Sequence, residues 1–168
     1  MLVSIDQLGL TQIYLNQEKV EKNRQLLQQE GYKNYPPIAV YEIFPGKLHI
    51  IDGHTRSFLL QQAGVKEIEV AFLSAAEIEN PVMRPFYETC VKWCAKAGVE
   101  TIDDLARKII PADEFLIAWI TRCQQKIDLI ESCVADPLLN KQCQLIELSG
   151  VEALALDQKG QVITEGRL

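Results

Sequence analysis

The stretch from residue 36 to residue 64, PPIAVYEIFPGKLHIIDGHTRSFLLQQAG, leaves a chain few ways to fold. Two β-rich runs flank Pro45-Gly46, the pair favoured at the centre of a type II turn, which predicts a hairpin. Asp52-Gly53 then reads as a tight turn into an amphipathic helix, with Thr55, Phe58, Leu59 and Ala63 on one face and Gly64 as its stop. VKEIEVAFL follows with strict alternation, Ile68, Val70 and Phe72 facing one way as in a half-buried strand. Upstream, the apolar pieces at 3–8 and 10–15 contain at least one strand. Residues 17–30 form a polar surface helix with Val20 and Leu27 seven apart, stopped by Gly31.

From residue 75 to about 136 every periodicity is helical. Val82, Phe86, Cys90, Trp93, Cys94 and Ala97 make one stripe, closed by Gly98. Thr101 and Asp104 form a capping-box start for a short helix carrying Ile102, Leu105, Ala106 and Ile109. Asp113 begins a long helix whose Leu116, Ile120, Cys123, Ile127, Ile130 and Val134 follow a heptad-like rhythm up to Pro137. The tail alternates on both sides of residues 157–160 and predicts a terminal hairpin. The class is therefore α+β: a small mixed sheet with helices over residues 1–74, then a mainly helical region with a C-terminal β-hairpin over 75–168.

The 168 residues carry a net charge of −6 without a basic patch, which argues against generic nucleic-acid binding. There is no apolar run of membrane-spanning length, and the N-terminus lacks the basic region of a signal peptide, so a cytoplasmic protein is expected. Five cysteines without a CxxC pair suit reduced thiols; Cys90 and Cys94, one helical turn apart, read as small buried hydrophobes.

Chemistry concentrates at DGHTR. A helix beginning at Gly53 or His54 leaves its first N–H groups unpaired at the positive end of the macrodipole. A phosphate there would meet those donors, an Arg56 guanidinium, a Thr55 hydroxyl and a His54 imidazole, while Gly53 lets the backbone approach. Asp52 would hold magnesium, act as a base, or simply cap the helix. On spacing alone, an ordinary turn with a solvated arginine explains the same five residues.

These residues, with LTQIYLNQEKVEKNRQLL upstream, resemble the N-terminal domain shared by ParB partitioning proteins, sulfiredoxins and ParB-like free serine kinases. The resemblance covers residues 2–73. It implies a nucleotide cofactor (ATP, ADP or CTP, with magnesium) on Gly53, His54, Thr55 and Arg56, and a metal or catalytic role for Asp52. The turn is most similar to the Asp-Gly-His-His-Arg of the free serine kinases, with Thr55 in place of the second His. Where those enzymes place a catalytic Glu before the first long helix, this chain has Gln17 followed by Glu18. A cysteine within the turn, as in sulfiredoxins, is missing. The resemblance thus implies a nucleotide-binding protein, either a phosphotransferase acting on a small hydroxyl-bearing substrate or a non-enzymatic module that governs a partner or DNA.

TIDDLARKIIPADEFLIAWITR outlines a helix-turn-helix, but its second helix begins with Asp113, Glu114, Phe115 and Leu116, where base-reading proteins place Arg, Asn or Gln. The seam from Leu116 to Val134 predicts a homodimer through the helical region.

Overall fold

The computed structural model describes residues 1 to 165. The chain opens with β1 (Leu2–Ser4), a 3-10 turn and β2 (Leu15–Asn16), and then enters α1 (Gln17–Glu30). Asn16 caps α1, its Oδ1 accepting from the amides of Glu18 and Lys19, and Gly31 ends it in a positive-φ conformation. The predicted hairpin is β3 (Ile38–Phe44) and β4 (Lys47–Asp52), with Gly46 at φ 81° in the turn. Then come α2 (His54–Gln62) and β5 (Glu67–Phe72). The four-stranded sheet has the order β1-β5-β3-β4, in which β5 runs parallel to β3 and the other neighbours are antiparallel.

The helical half comprises α3 (Ala75–Ile78), α4 (Met83–Lys96), a 3-10 segment (Ile102–Arg107), β6 (Ile109–Ile110), α5 (Ala112–Phe115), a π-helical stretch (Leu116–Thr121), α6 (Arg122–Ala135) and α7 (Pro137–Leu148). The terminal hairpin is β7 (Ala153–Leu156) and β8 (Val162–Thr164), its turn held by Asp157 Oδ1 accepting from the amides of Lys159 and Gln161. The α+β class and the hairpin agree with the sequence reading.

Several expectations are corrected. The segment after Thr101 has its capping box, but it is 3-10 and stops at Arg107; Ile109 instead pairs with Leu15 in a two-residue parallel ladder. That ladder also interrupts the helix-turn-helix outline. The long helix from Asp113 is broken by the π-helical stretch, whose wider turn shifts the helical phase. Trp119, Lys126 and Leu129 face inward; of the predicted seam, Cys123, Ile127 and Ile130 pack against the main cluster, while Leu116, Ile120 and Val134 are exposed. Helix α7 was not anticipated: Pro137 starts it, at N1, with Asp136 as cap. Phe72 and Ala63 are exposed, because β5 and α2 end as they leave the core.

One apolar cluster joins Ile5, Leu15, Val40, Ile50 and Leu59 from the sheet region with Phe86, Trp93, Leu105 and Trp119 from the helices. Trp93 meets Trp119 edge-on at 6.1 Å, and the Arg122 guanidinium lies 4.0 Å above the Trp93 ring. A smaller cluster of Leu129, Cys143 and Ala153 pins α7 and the terminal hairpin to α6. Buried Lys126 ties it together: its ammonium donates to Ala153 O at 2.6 Å, with Glu147 at 3.6 Å and Glu152 at 3.9 Å.

The N-terminal segment is threaded against β4. Gly9 N donates to Leu48 O and Gly9 O accepts from Ile50 N, so Gly9 sits directly against the His49 ring. A Cβ on Gly9 would come within 2.4 Å of His49 Cδ2. Gly9→Ala should destabilise the fold by about 1–3 kcal/mol, as overpacking does. Urea unfolding should also give Gly9→Ala with His49→Ala a smaller loss than the sum of the single changes, because the collision partner is gone. Additive losses would show that the ring is not the obstacle.

Candidate functional site at the start of helix α2

Strand β4 delivers Asp52 at its end, and Gly53 turns the chain into α2 with φ 110°, a conformation open to glycine and strained for other residues. Gly53 has no side chain to cap the helix, so the first-turn N–H groups keep the unpaired character of a helix start. Space adds a second reason for glycine. A Cβ here would lie 2.7 Å from Ile38 Cδ1 and 3.1 Å from Arg56 Nη2.

Arg56 follows one turn later, with its side chain 15% exposed. Its Nη2 donates to Asp52 Oδ2 at 2.9 Å and its Nη1 to Pro36 O at 2.6 Å. The guanidinium thus bridges the end of β4 to the segment that leads into β3. It also lies near enough to Tyr35 to oppose the rise that burial causes in the phenol pKa. The Tyr35 hydroxyl in turn donates to Asn23 O on α1 at 2.7 Å. The solvated arginine of the ordinary-turn explanation is therefore not what the structure shows.

His54 and Thr55 are both buried. His54 Nε2 accepts from the Thr11 amide at 3.1 Å, and Thr11 Oγ1 donates to Ile50 O at 2.7 Å. With Nε2 accepting, the neutral ring carries its proton on Nδ1. Burial drives the imidazole from 6.5 down to about 3; Asp52 opposes that shift and Lys19 adds to it. Lys19 and its neighbour Glu18 belong to the first turn of α1, so the starts of the two helices lie close together. Asp52 is open to solvent, its side chain 72% exposed. The described residues contain no group of three or more His, Cys, Asp or Glu able to hold a metal ion, so a cation here would have Asp52 and its own ligands.

The structure brings Asp52, Gly53, His54, Thr55 and Arg56 together, with the start of α1 beside them. Thr11, Tyr35 and Pro36 were missed by sequence reasoning. Thr11 is 43 residues from its partner His54, and Arg56 is 20 from Pro36, so no local spacing announces either pair.

No protein-family model and no curated protein matches the chain. Among solved structures it is similar to protein Atu1540 from Agrobacterium tumefaciens, at 26% identity over 44% of this chain and 40% of that one, with a TM-score of 0.36. It is also similar to the C-terminally truncated chromosome-partitioning protein ParB from Caulobacter crescentus, complexed to the centromeric parS site. There the identity is 17% over 89% of this chain and 92% of that one, with a TM-score of 0.35. No helix among the described residues is long and apolar enough to cross a membrane.

The burial of His54 sets a pH response. Its folded pKa is depressed, so between pH 6.5 and about 3 the unfolded chain takes up a proton that the folded chain refuses. Stability is unaffected by this group above 6.5 and falls as the pH drops below it. From pH 7 to pH 5 the loss should be about 2 kcal/mol by urea unfolding. His54→Gln, which keeps an acceptor for Thr11, should lack that component; an identical loss in the variant would assign it elsewhere.

Proposed function

We propose that this chain is a ParB-like nucleotide-binding protein that holds phosphate groups at the start of α2. The observation that carries this reading is the pairing of an uncapped, left-handed Gly53 with the Arg56 guanidinium packed beside it. Together they offer backbone donors and a planar cation to one anion. Arg56 is already positioned by Asp52 and Pro36, so little side-chain entropy would be lost on binding. The Nδ1–H of neutral His54 would be a further donor, and Thr55 would stay a packing residue.

Room for the nucleoside part adjoins this point. A pocket of about 260 Å³ is lined by Tyr35, Pro36, Pro37 and Leu60. Leu60 stands one helical turn beyond Arg56, and Tyr35 offers an aromatic ring for stacking.

If the bound nucleotide is ATP or ADP, Asp52 would orient an acceptor hydroxyl or hold a magnesium ion that is otherwise bound by phosphates and water. Glu18, in the first turn of α1, would be the second carboxylate to serve there. Turnover would be seen as product formation from ATP or ADP with small hydroxyl-bearing acceptors, lost in Asp52→Asn. Binding without product, whatever the acceptor, would leave the non-enzymatic module as the function.

Calorimetric titration with ATP, ADP and CTP, with and without magnesium, tests the binding itself. Arg56→Ala should weaken nucleotide binding at least tenfold, and Arg56→Lys should recover only part of the loss, because an ammonium restores the charge without the fork. Equal affinities in all three proteins, or no binding by the wild type, would remove the reading.

A homodimer belongs to the same proposal. Leu116, Ile117 and Ile120 are exposed along the π-helical stretch, which supports contact with a second copy there. Sedimentation at high micromolar concentration should show a dimer that Ile117→Asp dissociates. A monomer insensitive to that change would exclude it.

A further inference from the structure

We propose that Cys133 and Cys143 form an oxidative modification site, a thiol pair that closes to a disulfide on meeting a glutathione-type disulfide. Their sulfur atoms lie 3.4 Å apart, one on α6 and the other on α7. The Asp136 cap and Pro137 fold α7 back onto α6, so the two side chains meet across a short connection rather than by chance of a mobile loop. A disulfide holds its sulfurs about 2 Å apart, and the remaining gap is of the size a side-chain rotation covers.

A cleft beside both sulfurs separates this pair from Cys90 and Cys94. Both thiols line a cleft of about 350 Å³ between α4, α6 and α7, whereas Cys90 and Cys94 are enclosed in the main core. Position gives the bond its consequence. Cys143 is part of the small cluster that pins α7 and the terminal hairpin to α6, and Cys133 packs against it. A cross-link there would lock α7 in place.

The reaction is thiol–disulfide exchange. The Cys133 thiolate attacks one sulfur of glutathione disulfide and displaces one glutathione thiolate. Cys143, deprotonated to solvent, then attacks the Cys133 sulfur of the mixed disulfide and releases the second glutathione. Two protein thiols are oxidised, one glutathione disulfide is reduced to two glutathiones, and the two thiol protons balance the two thiolates released. Burial raises the Cys133 thiol to about 12, so its thiolate is scarce at neutral pH and exchange should quicken as the pH rises.

The test incubates the full chain with oxidised glutathione at pH 7.5 and pH 9, traps remaining thiols by alkylation in acid denaturant, and maps the peptides by mass spectrometry. A single linked pair, Cys133 to Cys143, should form, at least fivefold faster at pH 9, with Cys90 and Cys94 recovered as alkylated thiols. Oxidised wild type should also melt higher than the reduced form, and Cys143→Ser should show neither the link nor the shift. Mapping on the wild type stands whether or not the serine variant folds well. Absence of the linked peptide at pH 9, or linkage of Cys90 at an equal rate, would overturn the proposal.

Discussion

The hydrogen bond from the Thr11 amide to His54 is the interaction on which the surroundings of the α2 start depend. It fixes the N-terminal segment against the first residue of α2, and Thr11 secures that segment again by donating to Ile50 O. A polar pair this deeply buried is worth most when fully satisfied and costs most when one member is lost. Everything nearby inherits the constraint: Gly9 lies on His49, Leu15 continues into its ladder, and α1 starts beside α2.

Arg56 completes the arrangement from the other side. By gripping Asp52 and Pro36 it joins the end of the hairpin to its beginning, and through its neighbour Tyr35 the site reaches the middle of α1. The first turn of α2 is thus held by two separate segments, around Thr11 and Pro36, that lie far from it in sequence.

What could be read from the residues follows from range. Turns and caps depend on neighbours, so Pro45-Gly46, the Gly53 turn, the Thr101 to Asp104 capping box and the Asp157 turn were all legible. The helix face was legible only in part, since the buried set of α2 includes His54 and Ser57, whose polarity hides them from a hydrophobic count. The face of α6 was read in part: Cys123, Ile127 and Ile130 pack against the core, but Leu116 and Ile120, ahead of α6 in the π-helical stretch, are exposed, because a heptad template does not contain its wider turn. Helix α7 has the cap and proline of a start, yet its leucines are largely exposed, so no core-facing stripe announces it. At the start of α2 the partners of the turn residues could not be read, because Thr11 and Pro36 come from other parts of the chain.

The two-residue ladder between Leu15 and Ile109 is the smallest element of the fold and spans the widest sequence interval of any pairing between its strands. Such a contact can form only after the intervening chain has become compact, since the entropy of closing so long a loop must be offset by contacts made on the way. The ladder therefore depends on the contacts that the intervening chain makes. A nascent chain has to reach beyond Ile109 before the strand in front of α1 gains its partner. Until then the stretch leading into α1 is held only by what lies upstream, and the start of α2 would take its final surroundings in step with the helical half.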